Sequence, residues 1–272
     1  MKPLAIDLCA GLGGWTEGLL AEGWDVVGFD IERHVYGEHR YPAQLVIQDV
    51  LTLTGAQFKD AALIVASPPC QEYSYMAMPW TRAKAKAAAI RADETGAELE
   101  RLNALFNACF RIQREACAAA GRHIPMIIEN VRGAIPWVGR SRYNYGSFHL
   151  WGDVPALMPM TSARKMSGYN FQKGNPNVWG PNHISPSSDR FAAMTGSKVP
   201  GFRFDGSGKS FQSASVDSVK VGGDWFSDPD SLCRHGSKSP ARKMASAMIA
   251  KIPEPLSRHI ARTFKPAPLR NE

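Results

Sequence analysis

Residues 4–15 read Leu-Ala-Ile-Asp-Leu-Cys-Ala-Gly-Leu-Gly-Gly-Trp. An apolar run, Leu4–Leu8, feeds a turn with glycines at 11, 13 and 14, and a helical segment, Trp15–Glu22, follows until Gly23 stops it. A strand, a glycine turn and a helix in that order begin an α/β unit, and the bare backbone of such a turn lets a ligand approach closely. The dinucleotide fingerprint would place glycines at 11, 13 and 16, but position 16 is Thr16. That argues against a pyrophosphate-containing cofactor.

Outward from this turn the pattern repeats. Further strands are predicted at Asp25–Phe29, Gln44–Gln48, Ala62–Ala66, Pro125–Glu129 and Phe148–Trp151. They are short and nearly continuous in hydrophobicity, as strands covered on both faces are. The strongest helix prediction is Glu94–Ala119, where Leu99, Leu102, Phe106, Cys109 and Ile112 recur at helical spacing. Strands alternating with helices imply an α/β fold with a doubly wound, mostly parallel sheet. Residues 157–237 differ, being rich in Gly, Ser, Pro and Asn with isolated aromatics and interleaved basic residues. They read as a small loop-rich subdomain inserted in a main domain of residues 1–156 plus 238–272. Ser239-Pro240 is a helix start, Arg242–Lys251 continues it, and Leu256–Phe264 is the last helix.

Composition narrows the class. The chain has 272 residues, 44% hydrophobic and 21% charged, which is ordinary for a globular protein. Its net charge of +7 suits a polyanionic partner. Five cysteines without a C-x-x-C spacing predict reduced thiols in a cytoplasm and no metal site. Residues 1–7 meet an acid too early for a signal peptide, and no apolar stretch is long enough to span a membrane.

Two more acids end strands: Asp30, 19 residues after Gly11, and Asp49 after Leu45-Val46-Ile47. Asp30 stands where a carboxylate accepts ribose hydroxyls, and Asp49 where one accepts from an adenine amino group. Asp7, Asp30 and Asp49 beside a glycine turn suit an adenosine ligand with a cationic rather than an anionic tail, such as S-adenosylmethionine. The fourth strand then runs into Ser67-Pro68-Pro69-Cys70-Gln71, and the fifth into Glu129-Asn130-Val131.

In this order, Asp-Leu-Cys-Ala-Gly-Leu-Gly-Gly, Asp30, Asp49, Ser-Pro-Pro-Cys-Gln and Glu-Asn-Val, the chain resembles the DNA (cytosine-5)-methyltransferases, in particular their short phage and prophage members. The resemblance implies the class I S-adenosylmethionine-dependent methyltransferase fold with a small target-recognition region at 157–237. It implies Cys9, Gly11, Gly13, Gly14, Trp15, Asp30, Ile31, Asp49 and Val50 around the cofactor. Cys70 would be the nucleophile, Glu129 the proton donor, Asn130 its orienter, and Arg140 and Arg142 the contacts to a flipped base. The partner would be double-stranded DNA, bound by a monomer without metal or membrane. Glu72–Asp93 is expected either to close over the base or, from Ala83 to Ala92, to extend the next helix.

The sequence departs from the family at three places. Cys9 replaces an aromatic expected on the adenine, the Gly-Asn pair near the C-terminal helices is missing, and no Pro-Gln precedes the arginines. Lys251, in the region of the missing pair, is expected near the cofactor's amino-acid part, where it would tolerate a carboxylated analogue. Two alternatives remain: an RNA cytosine-5 methyltransferase, and a DNA-binding relative with a weak site. An amino-methylating enzyme would carry an aromatic at position 70, where Cys70 stands.

Overall fold

A computed structural model describes residues 2–74, 80–158, 243–244, 247–248 and 250–267. From residue 159 on, the expected recognition region lies outside the described residues, as does the helix start at Ser239-Pro240. Five parallel strands make up most of a seven-stranded sheet: β1 (Leu4–Leu8), β2 (Asp25–Asp30), β5 (Gln44–Ile47), β6 (Leu63–Ala66) and β7 (Met126–Asn130). Strands β8 (Tyr143–Tyr145) and β9 (Phe148–Gly152) complete it in the order β5-β2-β1-β6-β7-β9-β8. β9 runs antiparallel to both of its neighbours. A two-stranded hairpin, β3 (Val35–Tyr36) with β4 (His39–Arg40), stands apart and escaped the sequence reading. Strands this short leave no periodicity to read.

Alternating side chains of the sheet bury into two layers. Ile6, Leu8, Ile64, Met126 and Ile128 meet Phe106, Cys109 and Ile112 of the helix α3 (Ala97–Ala120). Ala5, Val26, Leu63, Val65 and Ile127 meet Trp15 and Leu19 of α1 (Gly14–Ala21) and Leu256 and Ile260 of α5 (Glu254–Phe264). Ala83–Ala92 neither joins α3 nor stays a loop. It belongs to a helix of its own, α2 (Trp80–Ala92), which buries Ala83, Ala87 and Ile90. Asp93 stops it from merging with α3, because its carboxylate accepts from the backbone N–H of Thr95 and Glu98 and so starts a new helix. A short α4 (Ile135–Val138) follows β7.

The packing of α1 decides two of the glycines. A Cβ on Gly14 would sit 2.4 Å from the Ile252 nitrogen, and one on Gly18 would sit 2.1 Å from the Ser257 hydroxyl. Both glycines therefore let α1 lie directly on the C-terminal segment and α5. Gly14→Ala is expected to lower stability by about 1–3 kcal/mol through overpacking. A thermal melt unchanged from wild type would refute that contact.

Candidate active site

All three acid-ended strands and the turn after β6 point to one end of the sheet, the C-terminal edge where parallel α/β sheets hold ligands. The Gly11 N–H donates to Asp30 Oδ2 at 2.8 Å, so the first turn is fastened to the end of β2. Asp30 Oδ1 accepts from the Glu32 N–H at 3.3 Å and lies 3.6 Å from His34 Nε2. These donors, with His34, hold the carboxyl below its usual range although burial pushes the other way. Gly11 has φ 53, and a Cβ there would meet nothing within 4 Å, so open space borders its backbone. Ile31 is 69% exposed beside it.

The remaining cofactor expectations divide. Gly13 lies under Pro42 and Tyr41, which a Cβ would reach at 2.5 and 3.0 Å, and Gly14 lies against Ile252. Their smallness serves internal packing. Val50 is 3% exposed, in the core. Asp49 caps the short helix Val50–Thr52 by accepting from the Leu51 N–H at 2.9 Å, with its second oxygen left for another donor. Cys9 is the one described non-glycine residue with positive φ, 55°, and burial pushes its thiol well above the ordinary value.

Sequence reading missed the use of Thr16. Its hydroxyl donates to Asp7 Oδ2 at 2.6 Å and lies 2.6 Å from the Tyr41 hydroxyl. A glycine there would satisfy a fingerprint but would leave buried Asp7 without its strongest donor. Burial raises the Asp7 carboxyl to about 7, and its Oδ1 has no partner. Lys251 is also spoken for: its Nζ donates to Glu17 Oε1 of α1 at 2.6 Å. The charge that a carboxylated analogue would need is already neutralised by Glu17.

Trp15 links the first turn to the chemistry. Its Nε1 donates to Ser67 Oγ at 3.0 Å, and Ser67 hydrogen-bonds Glu129. Glu129 is 8% exposed, and burial raises its carboxyl to about 8, partly opposed by Ser67. It therefore carries a proton at neutral pH. Asn130 is fully buried and works through both ends of its amide. Nδ2 donates to the Pro68 carbonyl at 2.9 Å, and Oδ1 accepts from the Val131 N–H at 2.9 Å. The turn bearing Cys70 is thereby joined to the strand bearing Glu129. Burial, and then the charge of Glu129, push the Cys70 thiol up. Protonation of Glu129 removes that second influence, so the two groups titrate as a coupled pair.

Arg140 and Arg142 precede β8, which lies two strands from β7. The Arg142 side chain lines a groove with Asp153, Leu157, His259 and Phe264. Asp153 accepts from the N–H of Met126, the first residue of β7. The Arg142 N–H donates to the Leu150 carbonyl at 2.8 Å, and Leu150 pairs with both Glu129 and Tyr143, so the Arg142 backbone lies near the level of Glu129, two strands away. Arg140 is exposed in the connection between α4 and β8. The cation that stands at the Glu129 end is Arg132. Its charge, after burial, lowers the pKa of His149, which pairs with Asn130 across β9.

Residues 4–134 match the family model described as C-5 cytosine-specific DNA methylase. Comparison with curated protein sequences finds no match. Among solved structures, the chain is similar to a DNA modification methyltransferase encoded within an E. coli prophage. Identity is 24% over 49% of this chain and 33% of that one, with a TM-score of 0.32. It is also similar to the S. pombe Dnmt2 methyltransferase, at 18% identity over 50% and 36%, TM-score 0.30. Similarity to the Entamoeba histolytica methyltransferase EhMeth is 16% over 49% and 39%, TM-score 0.30. The chain spans well under two thirds of the length of these three proteins. Its sheet, five parallel strands flanked by an antiparallel hairpin, has the class I methyltransferase fold. Among the described residues, no helix is long and apolar enough to cross a membrane, and no group of three or more candidate ligands could hold a metal.

Glu129 sets a pH dependence whose direction follows from its pKa. Between about 4.5 and about 8 the unfolded chain releases a proton that the folded chain keeps. Stability contributed by this group is full below that window and is lost as pH rises through it. Glu129→Gln should therefore match the wild type near pH 5 and melt several degrees higher near pH 8.5. Parallel melting curves for the two proteins across that range would show that Glu129 is not held protonated.

Proposed function

We propose that the protein transfers a methyl group from S-adenosylmethionine to carbon 5 of cytosine in duplex DNA. The observation that carries this reading is the joining of Cys70 and a protonated Glu129 by Asn130, at the sheet end where Gly11 and Asp30 border open space.

The residues present fit the cofactor. Gly11 offers open backbone, Asp30 keeps lone pairs for ribose hydroxyls, Asp49 keeps an oxygen for an adenine amino group, and Ile31 offers an apolar wall. When bound, S-adenosylmethionine supplies an electrophilic methyl group on a cationic sulfur. Carbon 5 of cytosine is too poor a nucleophile to take it unaided. The Cys70 thiolate adds to carbon 6, and the Glu129 proton goes to ring nitrogen 3, so that electron density collects at carbon 5. After methylation, loss of the carbon 5 proton expels Cys70 by β-elimination, and nitrogen 3 returns its proton to Glu129. The ring must leave the stack for its faces to be reached, at a cost of a few kcal/mol. The net charge of +7 supplies sequence-independent attraction to the duplex.

The two pKa directions set the working range. Rising pH ionises Cys70 and, above about 8, strips Glu129 of the proton it must give. Turnover should rise with pH up to about 8 and level off above it, because further ionisation of Cys70 then offsets the loss of the Glu129 proton.

A duplex containing 5-fluorocytosine blocks the final elimination. Incubation with cofactor should yield a protein–DNA adduct that survives denaturant and disappears in Cys70→Ser. Absence of an adduct on random-sequence duplex libraries would refute the reading, and capture of fluorinated RNA alone would move the substrate to RNA.

A further inference from the structure

The turn that carries Cys70 continues through Tyr73, and Tyr73 is tied to the Glu129 side of the site by a route separate from Asn130. The Tyr73 N–H donates to the Cys70 carbonyl at 3.0 Å, which fixes the tyrosine to the nucleophile's own backbone. Its hydroxyl donates to Asn103 Oδ1 at 2.9 Å and lies 3.2 Å from the Leu102 carbonyl. Asn103 is a 6% exposed residue on α3, in a layer otherwise apolar. Its Nδ2 donates to the carbonyl of Trp137 at 2.8 Å, in α4, seven residues beyond Asn130. One buried amide thus accepts from the Cys70 turn and donates to the segment that follows Glu129. Between these contacts the two segments touch directly, since a Cβ on Gly133 would lie 2.1 Å from the Tyr73 carbonyl oxygen.

A polar residue buried in a helix costs stability unless both ends of its amide are used, and a leucine would fill the same volume without that demand. Here both ends are used, and both partners belong to chain segments that hold the reacting groups. We propose that Asn103 and Tyr73 are positioning residues that set the placement of Cys70 relative to Glu129. Asn130 fixes the near side of the Cys70 turn through Pro68, and the Tyr73–Asn103–Trp137 strut fixes the far side. With only one side held, the turn could pivot about Pro68 and carry the sulfur away from the carboxyl. Displacement on the order of 1 Å is enough to cost up to about a hundredfold in rate. The inference rests on the reading of Cys70 and Glu129 as the catalytic pair, but its first readout needs no turnover.

The test uses the full chain with Tyr73→Phe, Asn103→Ala and the double variant. The rate of Cys70 alkylation by iodoacetamide is followed across pH by mass spectrometry of the Cys70 peptide. Freed from burial and from the Glu129 charge, Cys70 should react several-fold faster in both single variants, with its inflection moved to lower pH. In the fluorocytosine and turnover assays, kcat should fall about tenfold or more while KM for cofactor and DNA changes little. The double variant should lose no more than the worse single one, because both substitutions cut the same strut. If Asn103→Ala does not fold, Tyr73→Phe, which removes one oxygen, carries the test alone. An alkylation profile identical to wild type in a folded variant overturns the positioning role. A shifted profile in a protein that never methylates any nucleic acid keeps the strut and rejects the proposed function.

Discussion

The hydrogen bond from Asn130 to the Pro68 carbonyl ties together the two halves of the candidate active site. β6 and β7 are adjacent and in register, so their last residues are already close, but strand pairing ends at Ala66 and Ile128. Beyond that point nothing in the sheet dictates where Cys70 goes. Two prolines narrow the backbone choices of the turn, and the buried amide then selects among those that remain. Glu129 depends on the same arrangement, since its Ser67 partner sits at the start of that turn. The first glycine turn depends on it as well, through Trp15 and Ser67.

Electrostatics follow from this geometry rather than from added charge. Among the described residues no cation shifts Glu129 or Cys70, and burial dominates both. Each group is therefore held in its neutral form. For the carboxyl that is the useful state, because it is a proton donor. For the thiol it is a resting state; on the proposed function, ionisation comes with substrate, when a protonated neighbour and an electrophilic ring favour the anion.

Much of this was legible in the sequence, for identifiable reasons. Buried parallel strands announce themselves by short apolar runs, and the five predicted among residues 4–129 are present with bounds within two residues. Pro-Cys and Glu-Asn stand at successive strand ends, so their convergence followed from topology alone. Sequence cannot say what approaches a bare Cα; Gly13 and Gly14 make room for Tyr41, Pro42 and Ile252, residues 28 to 238 positions away. The arginines make a related case. A motif gives order along the chain but not lateral distance, and β8 lies two strands from β7, with Tyr143 level with Glu129. Asn103 and Tyr73 carry no local signal, since an asparagine within a helical repeat looks like a surface residue until its partners are known.

The burial that keeps Cys70 protonated has a consequence for its survival in a cell. Peroxides attack the thiolate, and the sulfenic acid so formed leads onward to irreversible acids. A nucleophile with a permanently lowered pKa, of the kind made by a neighbouring histidine cation, would be exposed to that damage between catalytic events. On the proposed function, the sulfur stays a poorly reactive thiol until a base occupies the site. Oxidant sensitivity would then be confined to the time the protein spends on its substrate.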